Sequence, residues 1–229
     1  MPSVDSTWGT RLLPTVLSLT AGSADVISFL GLGLFNSHIT GNLVILAAHL
    51  VNGESASVAL LLSVPVFAAG LGVTRALAAA LEAIGVATLR PFLVLQLVLL
   101  AGFLLLCMTA GPRIDPSAPN AIVAGMLGVL AMAVQNALVQ ISLRDAPSTA
   151  VMTTNLTRFM MDLGEILFGR DEVGVTTARA RAIHTLPAIV GFTVGVALGT
   201  ACETAFGLLA LVLPTGLALL AVALALVRA

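Results

Sequence analysis

From Phe92 to Ala110 the chain runs without one charged residue, close to the ~20 residues with which a helix crosses a ~30 Å hydrocarbon core. Similar runs recur from Leu12 to about Leu34, Val58 to about Leu81, Ala121 to about Leu143, about Ala182 to Thr200 and about Phe206 to Val227. In lipid every backbone polar group must be satisfied within the protein, which leaves helices or a closed barrel. Ala, Leu and Val fill both faces of each run and the two-residue alternation of a barrel strand is absent, so an all-α polytopic membrane bundle is expected. Only 9% of residues are charged, against roughly 25% in a soluble domain. The net charge of −1 and the lack of a basic run argue against nucleic acid as a partner. Arg11 and the run up to Ala21-Gly22-Ser23-Ala24 look like a secretion signal, but the apolar run resumes at Val26 and a full span is expected instead.

Two polar interruptions stand out against this background. Ser37-His38-Ile39-Thr40-Gly41-Asn42 separates the first span from a short apolar stretch, Leu43 to Val51, which the turn Asn52-Gly53-Glu54-Ser55 closes. Arg144-Asp145-Ala146-Pro147 ends a later span and is followed by Ser148 to Phe168, rich in Thr and carrying Asn155, Arg158, Asp162 and Glu165. Unpaired polar groups in hydrocarbon cost several kcal/mol, so such clusters are expected only where protein or a wet cavity surrounds them. A hydrophilic loop is expected from Gly169 to Arg181, and Gly111 to Asn120, with three prolines, is the expected central loop.

Laid side by side, the halves correspond. Asp25 matches Asn136, Thr40-Gly41-Asn42-Leu43 matches Thr153-Thr154-Asn155-Leu156, and Ser63-Val64-Pro65-Val66 before Gly70 and Gly72 matches Thr185-Leu186-Pro187-Ala188 before Gly191, Gly195 and Gly199. Small residues at such positions allow close helix approach. One membrane domain over 1–229 is expected, with repeat one over 11–110 and repeat two over 121–228. If the two short segments are broken or re-entrant, about three spans remain per half and the halves are inverted. Arg11, Arg90, Arg144, Arg170, Arg179, Arg181 and Arg228 then share one side and Arg113 the other, the stronger of two charge patterns. If both segments cross, about eight spans result with a weaker bias. Paired interrupted segments in inverted halves are a pointer to a transport site near the bilayer midplane.

The candidate substrate-binding residues follow from these breaks: Asp25, Ser37, His38, Thr40, Gly41, Asn42, Asn136, Thr153, Thr154, Asn155 and Arg158. Asp25 is a carboxylate in mid-span, with His38 and Arg158 as candidate partners; it is either a structural ion pair or a proton or coupling-ion site. His38 is either a helix-to-loop residue bonding a carbonyl or a proton-coupled contact. Asn155, Arg158, Asp162 and Glu165 share one helical face, which is either solvated, with Arg158 pairing locally to Asp162, or a basic anchor for an anion. No metal-ligand spacing, catalytic elbow or phosphate loop is present, so neither enzyme activity, a metal nor a cofactor is expected. Cys107 and Cys202 read as packing residues.

Ala21 to Leu30, Phe35-Asn36-Ser37-His38-Ile39-Thr40-Gly41-Asn42, Val134-Gln135-Asn136-Ala137 and Met152 to Arg158 resemble the YoaK-like family of small multi-pass bacterial membrane proteins, a domain of unknown function. The family tends to have Thr-Gly where this chain has Thr153-Thr154. The resemblance implies a bacterial cytoplasmic membrane and no substrate; the arginine distribution leads to the expectation of the N-terminus inside. The expectation from the residues is a small secondary transporter or permease for a polar or anionic solute, with a channel or a non-transporting assembly or sensing protein as alternatives. The expected partners are a small-molecule solute and the lipid bilayer, with a homo-oligomer left open.

Overall fold

The computed structural model describes residues 4–53, 57–111 and 114–227, with side chains from Leu12 onward. Arg113, Arg228, Glu54, Ser55 and the side chain of Arg11 lie outside the described residues. The described chain is all helical: α1 (Val4–Leu32), α2 (Ile39–Val51), α3 (Val58–Ala83), α4 (Leu89–Ala110), α5 (Pro119–Ser142), α6 (Met152–Phe168), α7 (Glu172–Phe206) and, after a 3-10 turn at Gly207–Leu211, α8 (Val212–Val227). Among the described residues five apolar stretches are long enough to cross a membrane, the last of them, Glu172–Val227, holding both α7 and α8. Pro14, Pro65 and Pro187 sit inside α1, α3 and α7 without ending them. The hydrophilic stretch from Gly169 to Arg181 is not a loop. Asp171 caps α7 by accepting from the Val173 and Gly174 amides, and the helix starts at once. At 35 residues and 1.5 Å per residue, α7 is about 50 Å long, so its polar start projects beyond a ~30 Å core.

Helix directions follow from which residues meet. A Cβ on Gly191, Gly195 or Gly199 would strike Thr15, Leu19 or Ser23 in turn, so α7 runs parallel to α1. Ile27 clusters with Leu208 and Leu211, while Leu13 and Leu17 cluster with Ala221 and Ala225, so α8 runs antiparallel to α1. Arg90 Nε donates to the Ala225 carbonyl (3.2 Å) and Phe103 clusters with Leu211, making α4 antiparallel to α8. Gly102 faces Leu127 and Gln96 bonds Gln135, making α5 antiparallel to α4. Finally, Leu60 clusters with Ala121 and Gly70 faces Ala133, so α3 runs parallel to α5. Thus α1, α4 and α7 point one way, and α3, α5 and α8 the other.

Two consequences matter for the site. α3 starts at the end where α1 stops and α7 starts at the end where α5 stops, so α2 and α6 each return to the end they left. The same directions put Arg90, Arg144, Arg170, Arg179 and Arg181 at one end of the bundle. The packing also interlocks the halves of the chain: α5 lies between α3 and α4, α1 lies between α7 and α8, and α4 meets α8. α2 packs on α3 as α6 packs on α7. The α1–α7 contact is backbone against backbone, since a Cβ on Gly195 would lie 2.4 Å from the Leu19 carbonyl oxygen and one on Gly22 2.3 Å from that of Phe192. On α3 only Gly70 is tight, against the side chains of Ala133 and Leu130 on α5; Gly72 has open space and Ala76 is exposed. Cys107 is buried in the core, and Cys202 packs against it.

Candidate functional site

Beyond Leu32 the backbone folds back into the bundle. Gly33 takes a positive φ of 68°, a region that glycine enters without Cβ strain, and the following loop descends beside α1. Asn36 sits against Gly128, near the middle of α5, where a Cβ would fall 2.8 Å from its amide. Its own amide donates to the Ala24 carbonyl (3.4 Å) and accepts from Ser28 Oγ (3.2 Å). Asp25, buried in α1, holds the loop from below. Its Oδ1 accepts from the amides of Asn36 (2.7 Å) and Ser37 (2.6 Å), and its Oδ2 pairs with His38 Nδ1. α2 therefore starts at the level of Asp25 and climbs outward. Asn42, one turn into α2, clamps the loop with both ends of its amide: Oδ1 accepts from the Phe35 amide (2.9 Å) and Nδ2 donates to the Phe35 carbonyl (2.8 Å). Gly41 is tight against the Phe35 ring.

The second break repeats the device from the other end. Asn155 Nδ2 donates to the carbonyl of Ser148 (2.6 Å), with the same sequence offset that separates Asn42 from Phe35. Asn136, expected to match Asp25, only bonds back to Met132 in its own helix (2.9 Å). Its neighbour Gln135 reaches the loop instead, donating to Thr149 Oγ1 (2.9 Å) and to the Leu17 carbonyl (3.0 Å) while accepting from Gln96 Nε2 (2.6 Å). Adjacent helical residues point about 100° apart, and only Gln135 faces inward. Ala150 clusters with Ala21, Ala24 and Met132, so α6, like α2, starts deep inside the bundle. Phe192 links the two starts. It packs against the cluster that contains Ala150, and its ring meets His38 edge-on at 5.6 Å.

Neither half-helix start has a side-chain cap or an acidic residue in its first turn. Three buried side-chain oxygens have no partner among the described residues: Ser37 Oγ, Gln96 Oε1 and Asn155 Oδ1. Thr40, Thr153, Thr154 and Arg158 are exposed and stand outside this polar centre. Arg158 pairs with neither Asp25 nor Asp162; Asp162, buried on α6, instead accepts from Arg181 Nε (2.9 Å) and Nη2 (2.6 Å). The residues missed by the candidate set are Ser28, Asn36, Gln96, Gln135 and Thr149. Gln96 is detectable as an amide within an otherwise apolar run, and Asn36 as the polar residue directly before Ser37. A cavity of about 290 Å³ lined by Asn136, Gln140, Arg144, Ser148 and Thr149 reaches the second break from the arginine-rich end.

No curated protein and no solved structure matches the chain significantly. A family described as "Protein of unknown function (DUF1275)" matches residues 13–224, nearly the whole apolar bundle with both breaks. The chain therefore belongs to the DUF1275 family, consistent with its YoaK-like resemblance.

Proposed function

We propose that the protein is a small secondary transporter or permease, built of two inverted halves, that passes a small polar or anionic solute between the two half-helix starts. One observation carries this reading: α2 and α6 begin uncapped inside the bundle, entering from opposite ends and flanking Phe192. The N-terminal turn of a helix has backbone N–H groups without intrahelical partners and a positive dipole end. Two such turns aimed into one region of hydrocarbon depth favour a ligand that brings electron-rich oxygens. Interrupted segments of this kind, in halves of opposite direction, are how transporters build midplane sites. The Asp25–His38 pair is the group through which proton coupling would act, because imidazole changes charge near neutral pH. By the positive-inside rule the arginine-rich end is the cytoplasmic one, which puts the N-terminus inside. Asp25, Ser37, His38, Asn42, Thr149 and Asn155 form the site, with Asn136 at its approach.

A second reading has its own support. Both oxygens of Asp25 and both ends of the Asn42 amide are already partnered, as expected of groups that only hold a loop in place in a non-transporting membrane protein. Flux separates the two. The protein is reconstituted in liposomes, and currents and proton flux are recorded under imposed gradients of small anions and neutral polar solutes. We expect saturable flux for at least one class, reduced at least tenfold in a His38→Ala, Asn42→Ala double variant that still elutes as a monodisperse species. No flux from wild type for any solute would contradict the reading, and full flux from the double variant would contradict the site.

A further inference from the structure

A wide cavity lies at the arginine-rich end, outside the polar centre. It is a groove of about 740 Å³ between the α5–α6 loop, α6 and the start of α7, lined by Arg144, Asp145, Arg158, Asp162, Arg181 and His184. The charges in it are not equivalent. Arg181 is committed to Asp162 through both Nε and Nη2, which fixes that wall. Arg144 and Arg158 are exposed, and neither has an ion-pair partner among the described residues. Asp145 offsets one of these two charges and Asp162 is paired with Arg181, while Glu165 and Asp171 line a neighbouring cavity and not this groove. Met161 and Pro147 supply an apolar flank.

We propose that this groove binds a phosphate-type anion between Arg144 and Arg158. Two planar guanidinium forks, both free to donate, match tetrahedral oxyanions better than a halide or a single carboxylate, because each fork makes parallel N–H···O bonds to two oxygens. The position fits either of two sources of the same chemistry. α7 projects beyond the hydrocarbon at this end, so the groove sits at headgroup depth and its apolar flank suits a phospholipid. The groove also adjoins the cavity that leads through Arg144 to Ser148 and Thr149, so a soluble phosphate could gather there. The inference does not depend on transport.

Thermal unfolding of the full chain in detergent tests it. The probes are inorganic phosphate against sodium chloride at matched ionic strength, and short-chain phosphatidylglycerol against phosphatidylcholine of the same chain length. A ligand at roughly ten times its Kd raises the midpoint by about 3 °C or more for a chain of this size. We expect that rise with phosphatidylglycerol, with phosphate or with both. A rise with the lipid alone identifies a headgroup site, and a rise with phosphate identifies a site open to soluble anions. Either rise should vanish in an Arg144→Gln, Arg158→Gln variant and persist in an Arg170→Gln, Arg179→Gln variant, which removes the same charge outside the groove. Chloride and phosphatidylcholine matching their partners, or an undiminished rise in the groove variant, would overturn the proposal.

Discussion

Asp25→Ala is expected to lower the unfolding midpoint of the detergent-solubilised protein by about 10 °C. The carboxylate is 3% exposed and accepts from the Asn36 and Ser37 amides, which it holds at 2.7 and 2.6 Å. Alanine leaves both amides and His38 Nδ1 without it in a region that water reaches poorly. Each orphaned buried donor costs about 1–3 kcal/mol, so the two amides together cost about 4 kcal/mol, and the His38 side chain, 41% exposed, adds little. At about 2–4 °C per kcal/mol for a chain of this length, the sum gives the stated shift. Asp25→Asn keeps one oxygen for the two amides but turns an NH₂ group towards His38, so its midpoint should fall between wild type and alanine. An alanine variant that melts within about 2 °C of wild type would show that the loop is held by something else, with Asn42 as the first suspect.

The second large effect is steric. Gly195→Val should prevent close packing of α1 on α7, because its Cβ would lie 2.4 Å from the Leu19 carbonyl oxygen and 3.0 Å from the Leu19 Cα and carbonyl carbon. Only backbone is in the way, and backbone in the middle of two helices cannot rotate aside. Overpacking a core costs roughly 1–3 kcal/mol even where side chains adjust, so a larger loss is expected here, seen as aggregation during size-exclusion chromatography. Separation of α1 from α7 would also move Phe192 away from His38 and loosen both breaks. Gly72→Ala is the control. Nothing lies within 4 Å of that position, and replacing glycine in a helix gains up to about 1 kcal/mol in propensity, so it should be neutral to slightly stabilising. Equal damage from both substitutions would mean that α1 and α7 do not meet through their glycines.

How much of this was legible in the sequence depends on the kind of feature. The breaks were, because a polar knot in an apolar chain is costly unless structured, and Asn42 and Asn155 each donate their amide to a loop carbonyl seven residues earlier. The glycines of α7 were readable from their spacing, but nothing in the sequence says that their partner is α1. The apolar runs are apolar on every side, so periodicity does not choose neighbours, and the interlocking of α1 between α7 and α8 is a tertiary result. The pair Asp162–Arg181 was missed because the two residues belong to different helices; a same-face partner, Arg158, lay closer in sequence. The repeat alignment points to Asn136 and not Gln135 because a one-residue shift in a helix, invisible in an alignment, turns a side chain by about 100°. The polar start of α7 looks like a loop in the sequence because hydropathy reports the surrounding solvent and not whether the backbone is helical.

The central claim is that α2 and α6 enter from opposite ends and return to them, which fixes the sides on which they finish. With Cys107 and Cys202 replaced by alanine, single cysteines at the exposed positions Asn52 and Arg170, just after α2 and α6, can be labelled in oriented membranes with a membrane-impermeant thiol reagent. The account predicts that Asn52→Cys and Arg170→Cys react from opposite faces, Arg170→Cys from the cytoplasmic one. Labelling of both from the same face, as eight crossing helices would give, would contradict it.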